Sequence, residues 1–126
     1  MNLLNDFFHL EETTVTNEGT CHTLRLNPRH AIFQAHFPGN PITPGVCIIQ
    51  MVAELFEQYA GRKLALKRVA NVKFLHVLSP AEQTSCQVLF HSIETDGAVR
   101  RIKASVRAQE TRFAQLSMVF EDVPEE

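Results

Sequence analysis

A histidine, a rigid turn and the start of a helix fall close together between Ala35 and Glu54. His36 enters a turn built from Pro38, Gly39, Asn40 and Pro41, which runs through Thr43-Pro44-Gly45 into the most apolar run of the chain. Histidine serves as a base near neutral pH without a large pKa shift. Thr43 reads as an N-cap, since its hydroxyl can accept a hydrogen bond from a free first-turn amide. Pro44 then falls at the first helical position, where its missing N–H costs nothing. Gly45 lacks a side chain, so a ligand could approach the helix N-terminus, with its unpaired amides and partial positive charge. The stretch combines a candidate base with a candidate oxyanion site.

A long helix must carry this chemistry. From Gly45 to about Ala60, Val46, Ile49, Val52, Ala53, Phe56 and Ala60 recur at helical spacing. Ile48, Leu55 and Tyr59 extend the apolar surface round most of the cylinder, leaving Gln50, Glu54, Glu57 and Gln58 as one narrow polar stripe. A helix apolar nearly all round is expected to be buried, and Gly61 suits its C-terminal cap.

β patterns occupy the rest. Leu3, Leu4, Phe7 and Phe8 form an apolar helix or turn packed on the body, followed by a strand over 11–16, a turn at Asn17-Glu18-Gly19 and an alternating strand over 20–26. One helical turn is expected within 29–34. After the helix, strands are expected over 67–77, 84–93, 98–108 and 112–121, with turns at Ser79-Pro80-Ala81-Glu82 and Glu94-Thr95-Asp96-Gly97. Ile102, Ala104, Val106 and Ala108 share one strand face; Ala114, Leu116, Met118 and Phe120 share another. One buried helix and a run of antiparallel strands make an α+β domain over residues 1–126, its sheet wrapped round the helix.

Composition narrows the function. With 126 residues, 44% hydrophobic and 21% charged, the chain reads as one globular domain. A net charge of −2 argues against general nucleic-acid binding. No apolar run is long enough to span a bilayer, and Met1–Leu10 lacks signal-peptide character, so a cytoplasmic setting is expected. Cys21, Cys47 and Cys86 are expected to be reduced and buried. No His-x-x-x-His or Cys-x-x-Cys pair suggests a metal site.

The run His36-Phe37-Pro38-Gly39-Asn40-Pro41-Ile42-Thr43-Pro44-Gly45-Val46 resembles the signature of the 3-hydroxyacyl-acyl-carrier-protein dehydratases. Asn71-Val72-Lys73-Phe74 is similar to the start of the family's post-helix strand. The resemblance implies a hotdog fold, a curved antiparallel sheet round a central helix, in a homodimer with active sites at the interface. It implies elimination of water from a 3-hydroxyacyl thioester on acyl carrier protein, with no cofactor. Carried over, His36 is the base, the Gly45 amide binds the thioester carbonyl, and Phe37, Pro44 and Val46 contact substrate. Gln50 stands where the family has a helix carboxylate.

A glutamine amide cannot protonate a leaving group, though it can hydrogen-bond the hydroxyl or orient a water. Three outcomes are open: His36 returns its own proton, Glu54 acts as substitute acid from one turn along the helix, or the site binds acyl chains without dehydrating them. The rivals are a hotdog acyl thioesterase and a non-catalytic acyl-binding subunit paired with a catalytic homologue. Arg101, Lys103 and Arg107, with Arg62, Lys63, Lys67 and Arg68 near the helix end, offer a docking patch for an acidic carrier protein.

Overall fold

A computed structural model describes residues 2–35, 39 and 41–124. These residues form β1 (Phe8–Thr16), β2 (Gly19–Leu26), α1 (Ala31–Ala35), α2 (Gly45–Ala60), β3 (Leu64–Phe74), β4 (Ser85–Asp96), β5 (Val99–Ala108) and β6 (Thr111–Asp122). The strands make one antiparallel sheet in the order β1-β2-β4-β5-β6-β3. Because β2 lies near one edge and β3 at the other, the chain between them crosses the sheet, and α2 lies in that connection. This is the hotdog arrangement.

Period-2 alternation on the strands meets period-3.6 burial on the helix. Ile102, Ala104, Val106 and Ala108 of β5 and Ala114, Leu116, Met118 and Phe120 of β6 are buried, as their spacing predicts. They form one core with Cys47, Ile48, Met51, Val52, Leu55 and Phe56 of α2. The Phe56 ring lies 5.5 Å from Phe90 of β4 and 4.9 Å from Phe120 of β6, so one helix side chain ties inner strands together. Phe7 packs 4.7 Å from Phe33 of α1, which fixes the N-terminal segment on the body.

Four expectations change. The N-terminal apolar segment takes the turn form of the two read from it, but β1 begins at Phe8 instead of residue 11. On α2 the buried stripe is centred on Ile48 and Val52, so Val46, two residues from Ile48 and on the opposite side of the cylinder, is 65% exposed. Strand β3 starts and stops earlier than residues 67–77. Its start is advanced because Gly61, at φ 70°, caps the helix through Glu57 and Gln58 carbonyls, and the Leu64 amide then donates to Glu57 Oε2 at 3.0 Å. Its end is set where the Leu75 amide turns to the Phe113 carbonyl at 2.8 Å, so Asn71–Phe74 closes this strand instead of opening it. Strand β4 runs on to Asp96, leaving a tighter turn before β5.

The three cysteines are free and buried, and burial pushes the Cys86 thiol up to about 12. Among the described residues no helix is long and apolar enough to cross a membrane, and no cluster of three or more His, Cys, Asp and Glu side chains could hold a metal ion.

His22 of β2 is 2% exposed, wedged 4.7 Å from the Phe90 ring and 5.5 Å from Tyr59. Its Nδ1 meets Thr13 Oγ1 at 3.1 Å, while Nε2 has no partner among the described residues. Desolvation disfavours the imidazolium and lowers its pKa. Above the unfolded-state value, about 6.5, both states hold His22 neutral; as pH falls below it the unfolded chain takes up the proton first, and stability declines until pH passes the lower folded value. The thermal midpoint should therefore drop on acidification below about pH 6.5. In His22→Phe, followed by circular dichroism over the same range, that decline should be shallower.

Candidate active site

The helix start differs from its sequence reading by one position. Helix α2 begins at Gly45, and Pro44 is the N-cap, with φ −60°, ψ 145° and no side-chain cap. Thr43 does not cap: its amide donates to the Leu78 carbonyl at 2.8 Å, and its hydroxyl is buried with no partner among the described residues. The long-range bond to Leu78 holds Thr43 against the segment after β3. The Pro44 carbonyl accepts from Cys47 and Ile48, at 2.9 and 3.1 Å. The Gly45 and Val46 amides are left without an acceptor among the described residues, which is the condition for an oxyanion site.

Beside this start lies a cavity of about 400 Å³, lined by Ile42, Thr43, Gly45, Ile48 and the segment from Phe74 to Leu78. The space left by the missing Gly45 side chain is filled by Phe74: a Cβ there would stand 2.7 Å from its Cζ and 2.9 Å from its Cε2. Phe74 is half exposed, so its ring lies between the helix start and solvent. His76 is the one titratable side chain among the described residues lining this cavity. Its position two residues beyond the Asn71–Phe74 run is the sequence signal that points to it.

His36 and Phe37 lie outside the described residues; the flanking Ala35 ends α1 and Pro41 leads toward α2. Pro44 is partly buried at the helix cap. Gln50 lies further along α2, and its Nε2 donates to Glu54 Oε2 at 2.8 Å. Glu54 is no loose surface carboxylate. Its Oε1 accepts from the Leu3 and Leu4 amides at 2.9 and 2.8 Å, and Oε2 accepts from Leu3 at 2.8 Å. The polar stripe therefore anchors the N-terminal segment and, through Glu57, the entry to β3.

The basic patch divides. Arg62 pairs with Asp122 at 3.3 Å and Arg107 with Glu18 at 3.1 Å. Arg101 and Lys103 remain exposed on β5 with no ion pair among the described residues.

Residues 12–115 match the family model ApeI-like, described as ApeI dehydratase. The chain is 30% identical over 98 residues to the 3-hydroxyacyl-[acyl-carrier-protein] dehydratase FabZ of Latilactobacillus sakei, covering 72% of this chain and 70% of that one. It is 27% identical over 95 residues to FabZ of Clostridium acetobutylicum, with 70% and 67% covered. Among solved structures, the dehydratase heterocomplex ApeI:P from Xenorhabdus doucetiae superposes with a TM-score of 0.67 at 18% identity, covering 90% of this chain and 96% of that one. The protein yhdA of Lactococcus lactis, which carries a provisional thioesterase name, superposes at 0.65 with 8% identity, covering 96% and 95%. At such identities these structures establish the fold.

Two substitutions test the geometry. Glu54→Ala strips both N-terminal amides of their acceptor and should destabilise the protein by about 1–3 kcal/mol, with faster hydrogen exchange at Leu3 and Leu4. Gly45→Val should cost about 1–3 kcal/mol through overpacking against Phe74. Much of that cost should vanish in the Phe74→Ala background, measured as a double-mutant cycle in urea.

Proposed function

The chain belongs to the ApeI-like dehydratase family, and from that premise we propose that it removes water from a 3-hydroxyacyl thioester carried on acyl carrier protein, giving the trans-2-enoyl thioester. The observation that carries this reading is the pair of amides at Gly45 and Val46, without an acceptor among the described residues, beside an apolar cavity. An acyl chain suits the cavity's apolar wall, and the amides suit the thioester oxygen, on which negative charge grows as the C2 proton leaves.

In this reading His36 takes the C2 proton, the C3–O bond breaks, and the same proton leaves with the hydroxyl as water. Gln50 assists without transferring a proton. A carboxylate only accepts hydrogen bonds, so the contact with Glu54 turns the Gln50 amide nitrogen toward Glu54 and its carbonyl oxygen away. Gln50 then hydrogen-bonds the substrate hydroxyl or orients a water. The engagement of Glu54 with Leu3 and Leu4 supports the one-histidine route over Glu54 as substitute acid. The protein acts as a homodimer, with Phe37, Pro44 and Val46 completing the substrate contacts.

Gln50 also favours a second reading, a subunit paired with a homologous chain that supplies the acid. The relative from Xenorhabdus doucetiae bears the name of a heterocomplex.

Purified protein should convert 3-hydroxyacyl-carrier protein to the enoyl product, followed by ultraviolet absorbance in both directions. His36→Ala should lower turnover by about 10²–10⁴-fold, and Gln50→Glu should keep or raise it. An inactive wild type together with an inactive Gln50→Glu variant would overturn the dehydratase reading, and activity appearing only on mixing with a homologue would establish the paired subunit. Thiol release without enoyl product would identify a thioesterase.

A further inference from the structure

The sheet face turned away from α2 carries a second cavity, of about 360 Å³, across β3, β4, β5 and β6. Its position follows from register. Lys103 of β5 lies opposite Ser117 of β6, which lies opposite Asn71 of β3; one step along, Ser105 faces Gln115. Strand alternation turns Lys103 and Ser105 outward, because Ala104 and Val106 between and beyond them belong to the core.

His91 joins them through an irregularity. The pairing of β4 with β5 slips between Phe90 and Ser92, leaving His91 as the extra residue of a bulge. Bulges re-aim side chains, and here the His91 Nε2 meets Ser105 Oγ at 2.7 Å. Ser105 is 3% exposed, so the histidine is held over a floor of small side chains.

The lining has one chemical character. Asn71, His91, Lys103, Arg112, Gln115 and Ser117 can all donate hydrogen bonds, and among the described residues no carboxylate lines the cavity. Of the neighbouring cations, Arg100 bonds Asp122 at 2.8 Å and Arg107 bonds Glu18, while Arg101 and Lys73 form no ion pair among the described residues but do not line the cavity. Lys103 and Arg112 form no ion pair among the described residues, and both face this cavity. A chain with a net charge of −2 thus keeps two unpaired cations around a set of neutral donors.

We propose that this cavity binds a phosphate-type oxyanion, the phosphoryl group of a small ligand or of a phosphodiester arm. Lys103 and Arg112 supply charge-assisted hydrogen bonds, Asn71, Gln115 and Ser117 add neutral ones, and Ser105 fixes the His91 ring at the rim. The site is separate from the cavity at the start of α2 and does not depend on the reaction assigned there.

Inorganic phosphate is the probe. It is titrated into the full chain at constant ionic strength while the His91 imidazole and the backbone amides are followed by NMR. Saturable shifts confined to the cavity are expected, with affinity reduced about tenfold in Lys103→Gln and in Arg112→Gln and unchanged in Lys67→Gln. Methyl phosphate and dimethyl phosphate then separate the sources: tighter binding of the first indicates a terminal phosphate, and of the second a phosphodiester arm, either one supporting the site. Shifts that do not saturate, that spread over all surface cations, or that persist undiminished in both cavity variants would mean non-specific ion association only, and would overturn the proposal.

Discussion

One sixteen-residue helix must cover the inner face of a six-stranded sheet, and the chain must cross that sheet to reach β3 on the far edge. Both demands fall on α2. Hydrophobic burial is non-directional, so it sets the depth of the helix but not its rotation or its ends. These are set by polar contacts: Gly61 and Glu57 at the C-terminal end, the Thr43–Leu78 bond before the first turn, and Glu54 at mid-helix. The Gly45 and Val46 amides, without an acceptor among the described residues, follow from this placement, because Pro44 as N-cap brings no side chain to satisfy them.

Glu54 makes the division of labour visible. Its carboxylate lies one helical turn beyond Gln50 and is engaged by the Leu3 and Leu4 amides. It grips the N-terminal segment and orients the Gln50 amide with the same two oxygens. The N-terminal anchor and the polar group at position 50 therefore share one carboxylate.

What was legible in the sequence was local. The alternation of β5 and β6, the hairpin after β1, the span of α2 and its glycine cap depend on neighbours a few residues apart, and they stand as read. What was not legible depends on distant partners. Thr43 looks like a cap until Leu78 takes its amide, and Gly45 looks open until Phe74 fills the space beside it. Glu54 looks solvated until Leu3 and Leu4, fifty residues earlier, come to it. Helical spacing alone also placed Val46 on the buried side, since a nearly all-apolar cylinder does not announce which arc meets the sheet. The His91 bulge is a property of pairing and leaves no mark in composition.

The burial of all three cysteines gives the fold a built-in reporter. A thiol reacts as its thiolate, and Cys86 has the apolar surroundings that make a thiolate scarce as well as inaccessible. Cys21 sits on β2, Cys47 near the start of α2 and Cys86 on β4, so each samples a different part of the structure. The order in which an alkylating reagent labels them would then record the order in which these parts open.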